Sequence, residues 1–520
     1  MAAADWFFNK NTRGCLPLFF LWWRIVAYTE KSKDKKLKIL IAASEIVPFA
    51  KTGGLADVAG ALPKALKKQG HDVRLVMPRY KGIDETKFGI KEKGAEVNID
   101  IALFNHKGVI KEAKYPGTDI PVYFIDNTEF FFRDELYRTP EGEYYDNAER
   151  FMFFSRAVLE MIKTMSFKPD IIHCNDWHAG LIPVYLKNLY GKEDFYRGIK
   201  TLYSIHNIAY QGVYEKEKLS HAALPPGLFN PGGLEFYGKI NYMKGGIVFS
   251  DAVNTVSERY RDEIQTPQFG YGLDGVLRDR KKDLHGILNG IDYDIWSPKT
   301  DTHLYINYDY GEMENKDELK KKLLEESGLK YHENIPLLGL VSRLDDQKGM
   351  DFIAAVMDDM MRMNLQFVVL GTGEEKYHKA LLDHANSFPE KMAAHIKFDN
   401  TLAHNIYAGS DIFLMPSHFE PCGLGQLISL RYGTIPVVRE TGGLADTVTQ
   451  YNFKTKQGNG FVFSGYDPAD FLKAVRVAVD TYKNRNVWKK LRERGMKLDF
   501  SWESAAEKYT GLYNKIIGAK

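Results

Sequence analysis

Residues 38–78 read KILIAASEIVPFAKTGGLADVAGALPKALKKQGHDVRLVMP. Ile39 to Ala43 is an apolar run of strand length, and Asp57 to Gln69 carries apolar residues at helical spacing until Gly70 stops it. Asp72 to Met77 is a second apolar run, closed by Pro78. Strand, helix, strand in close succession is a βαβ unit, whose two strands pair in parallel. Working outward, strands are expected at Val122 to Ile125, Asp170 to Cys174, Thr201 to Ile205 and Ala252 to Val256, with a long helical pattern at Asn147 to Met165. Such alternation predicts a parallel sheet covered by helices on both faces.

The turn-rich stretch Asn289-Gly290-Ile291-Asp292 and a polar region from Lys299 to Lys322 interrupt this pattern, which then restarts. A boundary is expected near residues 285–300. Beyond it, Pro336 to Val341, Gln366 to Leu370, Asp411 to Met415 and Ile435 to Val438 read as strands. Helices are expected at Asp351 to Met363, Gly425 to Tyr432 and Pro468 to Asp480. The fold class is therefore α/β, with two doubly wound Rossmann-like halves. Ligands of such sheets bind beyond the carboxyl ends of the strands, so two halves would share a site in the cleft between them.

The 520 residues include 70 Lys+Arg and 68 Asp+Glu, a formal net charge of +2. That balance argues against nucleic acid or a membrane surface as partner, and it neither requires nor forbids self-association. With 44% apolar and 27% charged residues, the composition is that of a globular chain. Cys15, Cys174 and Cys422 are too few and too scattered for a disulfide framework or a zinc cluster, so a reducing compartment is expected. Leu16 to Tyr28 is strongly apolar but spans only 13 residues and is broken by Arg24, too short for a transmembrane span. Residues 1–36 read as an appended tail or a targeting segment, since Lys10 and Arg13 precede the apolar run but no small-residue cleavage site follows it. The compartment is then cytoplasmic, or plastidic if residues 1–36 are a transit peptide.

The most informative feature is a hexapeptide repeat: Thr52-Gly53-Gly54-Leu55-Ala56-Asp57 recurs as Thr441-Gly442-Gly443-Leu444-Ala445-Asp446, one copy in each half. Each Gly-Gly pair precedes a helix and lets backbone N–H groups approach an anion, so two helix ends could flank one diphosphate. The bland alternative is two ordinary helix-starting turns. Neither copy matches the dinucleotide or P-loop fingerprints. Lys51, directly before the first copy, is placed to reach phosphate as a point charge. Arg343 and Lys348 follow the Pro336 to Val341 strand and suit a leaving diphosphate. Glu420-Pro421-Cys422-Gly423-Leu424-Gly425 follows another strand end, where Glu420 would hold sugar hydroxyls, act as acid or base, or merely cap a helix. Cys422 reads as a packed residue. His173 to His178 and Ser204 to Asn207 close two strands that should be neighbours. Their imidazoles and amides fit sugar contacts better than a zinc site. Asp292-Tyr293-Asp294 reads as a turn despite its D-x-D pattern.

Taken together, these motifs resemble the bacterial glycogen synthase and plant starch synthase family of retaining glycosyltransferases. The marks are Lys51 to Val58, Asn175-Asp176-Trp177-His178, Ile205-His206-Asn207 with Tyr210-Gln211-Gly212, and Leu288 to Asp292. Ser342-Arg343-Leu344, Gln347-Lys348-Gly349, Phe419 to Leu424, Thr441 to Asp446 and Asp499-Phe500-Ser501-Trp502 complete them. The resemblance runs from Lys38 to the C-terminus. It implies the GT-B architecture, with domains at 37–288 (acceptor side) and 289–498 (nucleotide-sugar side), and a last helix in 499–520 crossing back to the first domain. It implies transfer of glucose from ADP-glucose to the non-reducing 4-hydroxyl of an α-1,4-glucan, with retention of configuration and no cofactor or metal. UDP-glucose or another acceptor, and a catalytically silent glucan-binding protein, remain rivals. A glucan phosphorylase and a nicotinamide oxidoreductase are weaker.

By position, the resemblance makes His178, Arg343, Lys348 and Glu420 the catalytic set. Lys51, Thr52, Gly53, Gly54, Asp57, Asn207, Cys422, Gly423, Leu424, Thr441, Gly442 and Gly443 become the nucleotide-sugar contacts, with Gly442 and Gly443 as backbone phosphate donors. Retention by front-face attack needs no enzymic nucleophile, which agrees with finding phosphate binders rather than a glycosidase-like carboxylate pair. Lys348→Ala is expected to lower turnover by about two orders of magnitude and folding stability far less. One departure stands out: related transferases often carry a second glutamate eight residues after the first, where this chain has Ile428. Ribose binding must then be arranged differently.

Overall fold

Apolar, β-branched runs flanked by helices on both sides can hide from water only as the central layer of a sandwich, and two such sheets form. A computed structural model describes residues 36–139 and 141–518. The tail, including Leu16 to Tyr28, lies outside the described residues. The first sheet contains β1 (Lys38–Ala42), β2 (Asp72–Pro78), β3 (Lys91–Ile101), β4 (Phe104–Lys114), β5 (Pro121–Asp126), β6 (Ile171–Asn175), β7 (Lys200–Ile205), β8 (Ala252–Thr255) and β9 (Leu284–Gly286). Their order across the sheet is β9-β8-β7-β6-β1-β2-β5-β4-β3. The second contains β10 (Leu337–Val341), β11 (Gln366–Leu370), β12 (Met392–His395), β13 (Ile412–Met415), β14 (Ile435–Arg439) and β15 (Phe461–Phe463), ordered β12-β11-β10-β13-β14-β15.

The second sheet is wholly parallel. In the first, β4 runs antiparallel to both β3 and β5, which corrects the all-parallel expectation. Strand β3 alternates exposed and buried residues, with Val97, Ile99 and Ile101 inward, the pattern of a half-solvated antiparallel edge. A search for continuous apolar runs passes over it.

Six helices position the loops that matter below: α1 (Gly54–Lys68), α2 (Asn147–Thr164), α3 (Glu258–Glu263), α4 (Gly425–Arg431), α5 (Gly442–Thr447) and α6 (Trp502–Ile516). Helix α6 buries Trp502, Ala506, Tyr509 and Tyr513 in the same apolar cluster as the first sheet, although it follows the second in sequence. Residues 290–291 and 500–501 therefore run side by side, with Ile291 N–H donating to the Phe500 carbonyl at 2.8 Å. Gly290 permits this approach, because a Cβ there would stand 2.6 Å from the Trp502 nitrogen. Asp292 and Tyr293 lie in the turn that follows, and Asp292 pairs with Lys64 of α1. The described residues from Leu37 onward make one compact unit. Among the described residues no helix is long and apolar enough to cross a membrane.

Candidate active site

In the second sheet, strands added after β10 go first to one side and then, from β13, to the other, so the loops leaving these two neighbours diverge and open a crevice. Arg343 follows β10, and Lys348 ends a short turn capped by Asp345, which accepts the Lys348 N–H at 3.0 Å. Glu420 lies in the loop from β13 to α4. Arg343, Lys348, Ser417, Glu420, Gly423 and Leu424 contribute to the lining of a cavity of about 160 Å³. Lys348 Nζ stands 2.7 Å from Glu420 Oε2, and Ser417 Oγ donates to the same oxygen at 3.1 Å. Arg343 pairs with Asp345 at 3.0 Å and remains 58% exposed. Helix α4 starts at this cavity with no side-chain cap. Arg343 pairs with Asp345 and Lys348 with Glu420, and a half-exposed guanidinium, an ammonium and an uncapped helix start together suit a diphosphate that would compete for these cations.

Gly423 is required where it stands: φ is 71°, and a Cβ would lie 2.4 Å from Gln426 Oε1. Gln426 Nε2 in turn donates to the carbonyls of Cys422 and Gly423, both at 3.0 Å, fixing the loop that carries Glu420. Cys422 is buried beside Asn289, and burial pushes its thiol up to about 12. It is packed in the interior with its thiol held protonated.

The first sheet reverses between β1 and β6 in the same way. The loop after β1 brings Glu45 and the first hexapeptide, and the loop after β6 brings Asp176, Trp177 and His178. His178 is sandwiched by Trp177 (ring centroids 4.0 Å apart), Tyr137 (4.5 Å) and Phe151 (4.7 Å). Neither ring nitrogen has a hydrogen-bond partner, and burial holds the imidazole well below its ordinary range. A neutral, buried imidazole with unsatisfied nitrogens makes His178 a candidate for a ligand contact. Asp176 has φ 53°, and its Oδ1 accepts the His206 N–H at 2.8 Å. Burial lifts its carboxyl to about 7. Lys51 Nζ lies 2.8 Å from Asp57, whose carboxyl is raised by burial against the opposing pull of Lys51. The Thr52 hydroxyl (2.6 Å), the Gly53 N–H (3.1 Å) and the Thr52 N–H all donate to Glu45, which also accepts the Tyr137 hydroxyl at 2.9 Å. Above Gly53 and Gly54 the space is open, for a Cβ on either meets nothing within 4 Å.

The second hexapeptide is arranged differently, against the expectation that Gly442 and Gly443 offer N–H groups to phosphate. The Gly442 N–H donates to both carboxylate oxygens of Glu263, each at 3.1 Å, and the Thr441 hydroxyl reaches them at 3.3 Å. The Gly443 N–H donates to the Glu420 carbonyl at 3.0 Å. These donors are spent inside the protein. Asp446 returns the arrangement by accepting the Arg259 N–H of α3 at 2.9 Å, so α3 and α5 cap each other across the two halves. Ser257 Oγ adds a bond to the Pro421 carbonyl at 2.7 Å.

Other residues singled out from the sequence make contacts within the protein. His173 contacts Tyr513 (2.9 Å) and Ser204 (2.7 Å), so both its nitrogens are used inside the protein, and His206 contacts Asn175 (2.9 Å). Asn207 turns its Oδ1 to the Ala209 N–H at 3.0 Å. Ile428 is buried with Ile291, Tyr308 and Met496, so no ribose ligand stands at that position.

The chain also resembles known proteins. Residues 38–279 match the starch synthase catalytic domain family, and residues 322–494 match glycosyl transferases group 1. A glycogen synthase of Geotalea daltonii is 49% identical over 484 residues, covering 93% of this chain and 100% of that protein. One from Thermotoga maritima is 48% identical over 486 residues, covering 92% and 99%. This chain belongs to the glycogen and starch synthase family of glycosyltransferases. Among solved structures, the catalytic domain of starch synthase IV from Arabidopsis thaliana, bound to ADP and acarbose, superposes with a TM-score of 0.85 at 34% identity, covering 93% of this chain and 100% of that one. Sucrose-phosphate synthase from Thermosynechococcus elongatus, at 15% identity and a TM-score of 0.57 with the same coverage, shares the fold. The GT-B architecture of the family is thus the architecture of this chain.

For a member of this family, sequence reading found the crevice cations and Glu420 but missed Glu45, Tyr137 and Glu263. Glu45 stood within reach, in the same loop as the first hexapeptide. Glu263 lies 179 residues from Gly442, and no local signal connects them.

Proposed function

We propose that this glycosyltransferase transfers glucose from ADP-glucose to the non-reducing 4-hydroxyl of an α-1,4-glucan, with retention. The observation that carries the reading is the pairing of a cationic crevice (Arg343, Lys348, the start of α4) with a buried neutral imidazole, His178, each at the reversal point of its own sheet. ADP is chosen as the nucleotide because the Arabidopsis starch synthase structure contains it. The ring of Phe398, 91% exposed just beyond β12, is available to a base at the donor half's strand ends. We take residues 37–288 as the acceptor half, 289–498 as the donor half, and 499–520 as the segment returning to the first, a division supported by the two sheets and by the packing of α6.

In this reading the bond from glucose C1 to the diphosphate oxygen breaks, and a bond from C1 to the acceptor O4 forms on the same face. The acceptor proton passes to the departing phosphate oxygen. Arg343 and Lys348 stabilise the charge that develops there, where preorganised donors count most. Glu420, oriented by Lys348 and Ser417, holds sugar hydroxyls, and His178 offers a nitrogen to the transferred glucose. Lys51 exchanges Asp57 for phosphate when donor binds. Cys422, Gly423 and Leu424 shape the crevice, whereas Thr441, Gly442 and Gly443 support it from behind. The two described cysteines are free and buried, which supports a reducing compartment such as the cytoplasm.

The test is incorporation of labelled glucose into glycogen by the purified protein, with ADP-glucose or UDP-glucose and with or without glucan primer. Primer-dependent transfer from ADP-glucose is expected. Transfer from UDP-glucose alone would overturn the choice of donor, and no transfer from either in a folded sample would favour a silent glucan-binding protein.

A further inference from the structure

Along the rim of the first half, two tyrosines hold a backbone conformation that their type disfavours. Tyr237 and Gly238 (φ 50° and 82°) form the two-residue turn between the short strands Glu235–Phe236 and Lys239–Asn241. Two left-handed residues in a hairpin make the turn type for which Asn-Gly is the ordinary choice. Tyr271 and Gly272 repeat the pair, with φ 49° and 81°. Neither ring is hidden in return: Tyr237 is 81% exposed and Tyr271 45%, with Tyr210 nearby at 57%. Strained residues that present large rings to solvent point to a use outside folding.

These rings form one surface connected to the active site. Gly272 sits against the hairpin, where a Cβ would stand 3.0 Å from the Phe236 ring and 3.1 Å from that of Tyr237. Buried Gln211 accepts from Asn241 at 2.6 Å and donates to the Tyr271 carbonyl at 3.1 Å, so it ties all three loops together. Gly212 lies on the indole of Trp177, the neighbour of His178, with 2.5 Å between a built Cβ and the ring. On the opposite side the Tyr271 ring meets that of Phe419 edge-on at 6.2 Å, one residue from Glu420. The surface therefore rests on Trp177 and Phe419, the chain neighbours of His178 and Glu420, and leads outward to Tyr237.

We propose that Tyr271 and then Tyr237, with Tyr210 beside them, stack against successive glucose units of the acceptor chain behind its reacting end. The inference rests on the glucan reading above and assigns the acceptor its track. A pyranose presents apolar C–H faces and polar edges, and a tyrosine ring matches the face at small entropic cost while its hydroxyl stays wet. Tyr237, outermost, meets only acceptors several units long.

The test compares maltotriose with malto-octaose as acceptors and titrates malto-octaose into the donor-free protein by calorimetry. Tyr237→Asn installs the residue that the turn favours, so thermal stability is retained or improved. The kcat/KM preference for malto-octaose over maltotriose should fall about tenfold, with a similar weakening of malto-octaose binding. Tyr237→Phe should keep both. An unchanged preference and unchanged binding in folded Tyr237→Asn would overturn the track while leaving the transfer reaction standing. If the wild-type protein transfers nothing from ADP-glucose, the proposed function falls and the titration alone decides: tenfold weaker binding sustains the track, equal binding ends it.

Discussion

The two copies of Thr-Gly-Gly-Leu-Ala-Asp have the same sequence and opposite circumstances. The first is open: its glycines touch nothing that a methyl group would disturb, and a half-exposed Lys51 precedes it. The second is packed: Cβ atoms on Gly442 and Gly443 would each stand 2.0 Å from a carbonyl oxygen, of Glu420 and Cys422 respectively, and Glu440 precedes it. In the first copy glycine leaves room for something outside the protein. In the second it lets the backbone carry the Glu420 loop. A repeated motif thus repeats a local shape, two glycines at a helix start, while the neighbours decide what the shape is for.

The largest effect expected from breaking this contrast is in the second copy. Gly443→Ala forces the Glu420 loop to move and should lower stability by about 3 kcal/mol, seen as an earlier denaturant midpoint together with lost transfer. If it melts like the wild type, the supporting role is wrong. Next comes Arg343→Ala. Because the N–H groups of Gly442 and Gly443 have partners inside the protein, the crevice cations are expected to carry most of the diphosphate charge, and turnover should drop about a hundredfold with little change in melting temperature. Lys348→Ala is less clean than its sequence suggested: it strands buried Glu420 without its cation, which typically costs about 3 kcal/mol, so both turnover and stability should suffer.

On the first copy's side the informative group is Asp176, which feels the charge of Glu45. Its carboxyl stands at about 7 in the fold against 3.8 for the ordinary group, so between these values the native state holds a proton that the unfolded chain has released. Stability from this group is complete below pH ~4 and declines as pH rises toward ~7, by at most about 1.4 kcal/mol per pH unit. Asp176→Asn should flatten that slope in urea titrations run from pH 5 to 7. An identical slope in the variant would reject the assignment. The smallest effect belongs to Gly54→Ala, which should leave stability within about 1 kcal/mol or raise it slightly while increasing the KM for ADP-glucose. A fall comparable to that of Gly443→Ala would erase the distinction between the copies.

Legibility followed the range of the interactions. Gln366–Leu370 has the bounds expected of it, and β10 and β13 begin one residue later than expected, because buried parallel strands are continuous apolar runs that announce themselves. The β3–β4 pair, polar on one face, did not. Arg343, Lys348 and Glu420 were found because each follows a legible strand, and strand ends are where open α/β sheets bind ligands. The outermost rings of the rim were missed, since an exposed tyrosine in a sequence resembles any other, and its strain exists only as a φ angle.

The sequence alone determined that there are two sheets built around parallel strands, where each begins, and which loops emerge at the carboxyl ends of those strands, since these follow from local periodicity and from the burial of apolar runs. Tertiary structure decided which of two identical loops has open space above its glycines, that Glu263 accepts from the backbone of the second, and that His178 sits in an aromatic cage with no hydrogen-bond partner for either nitrogen. Those outcomes depend on contacts between residues far apart in the chain, whose partners are chosen by how whole layers pack.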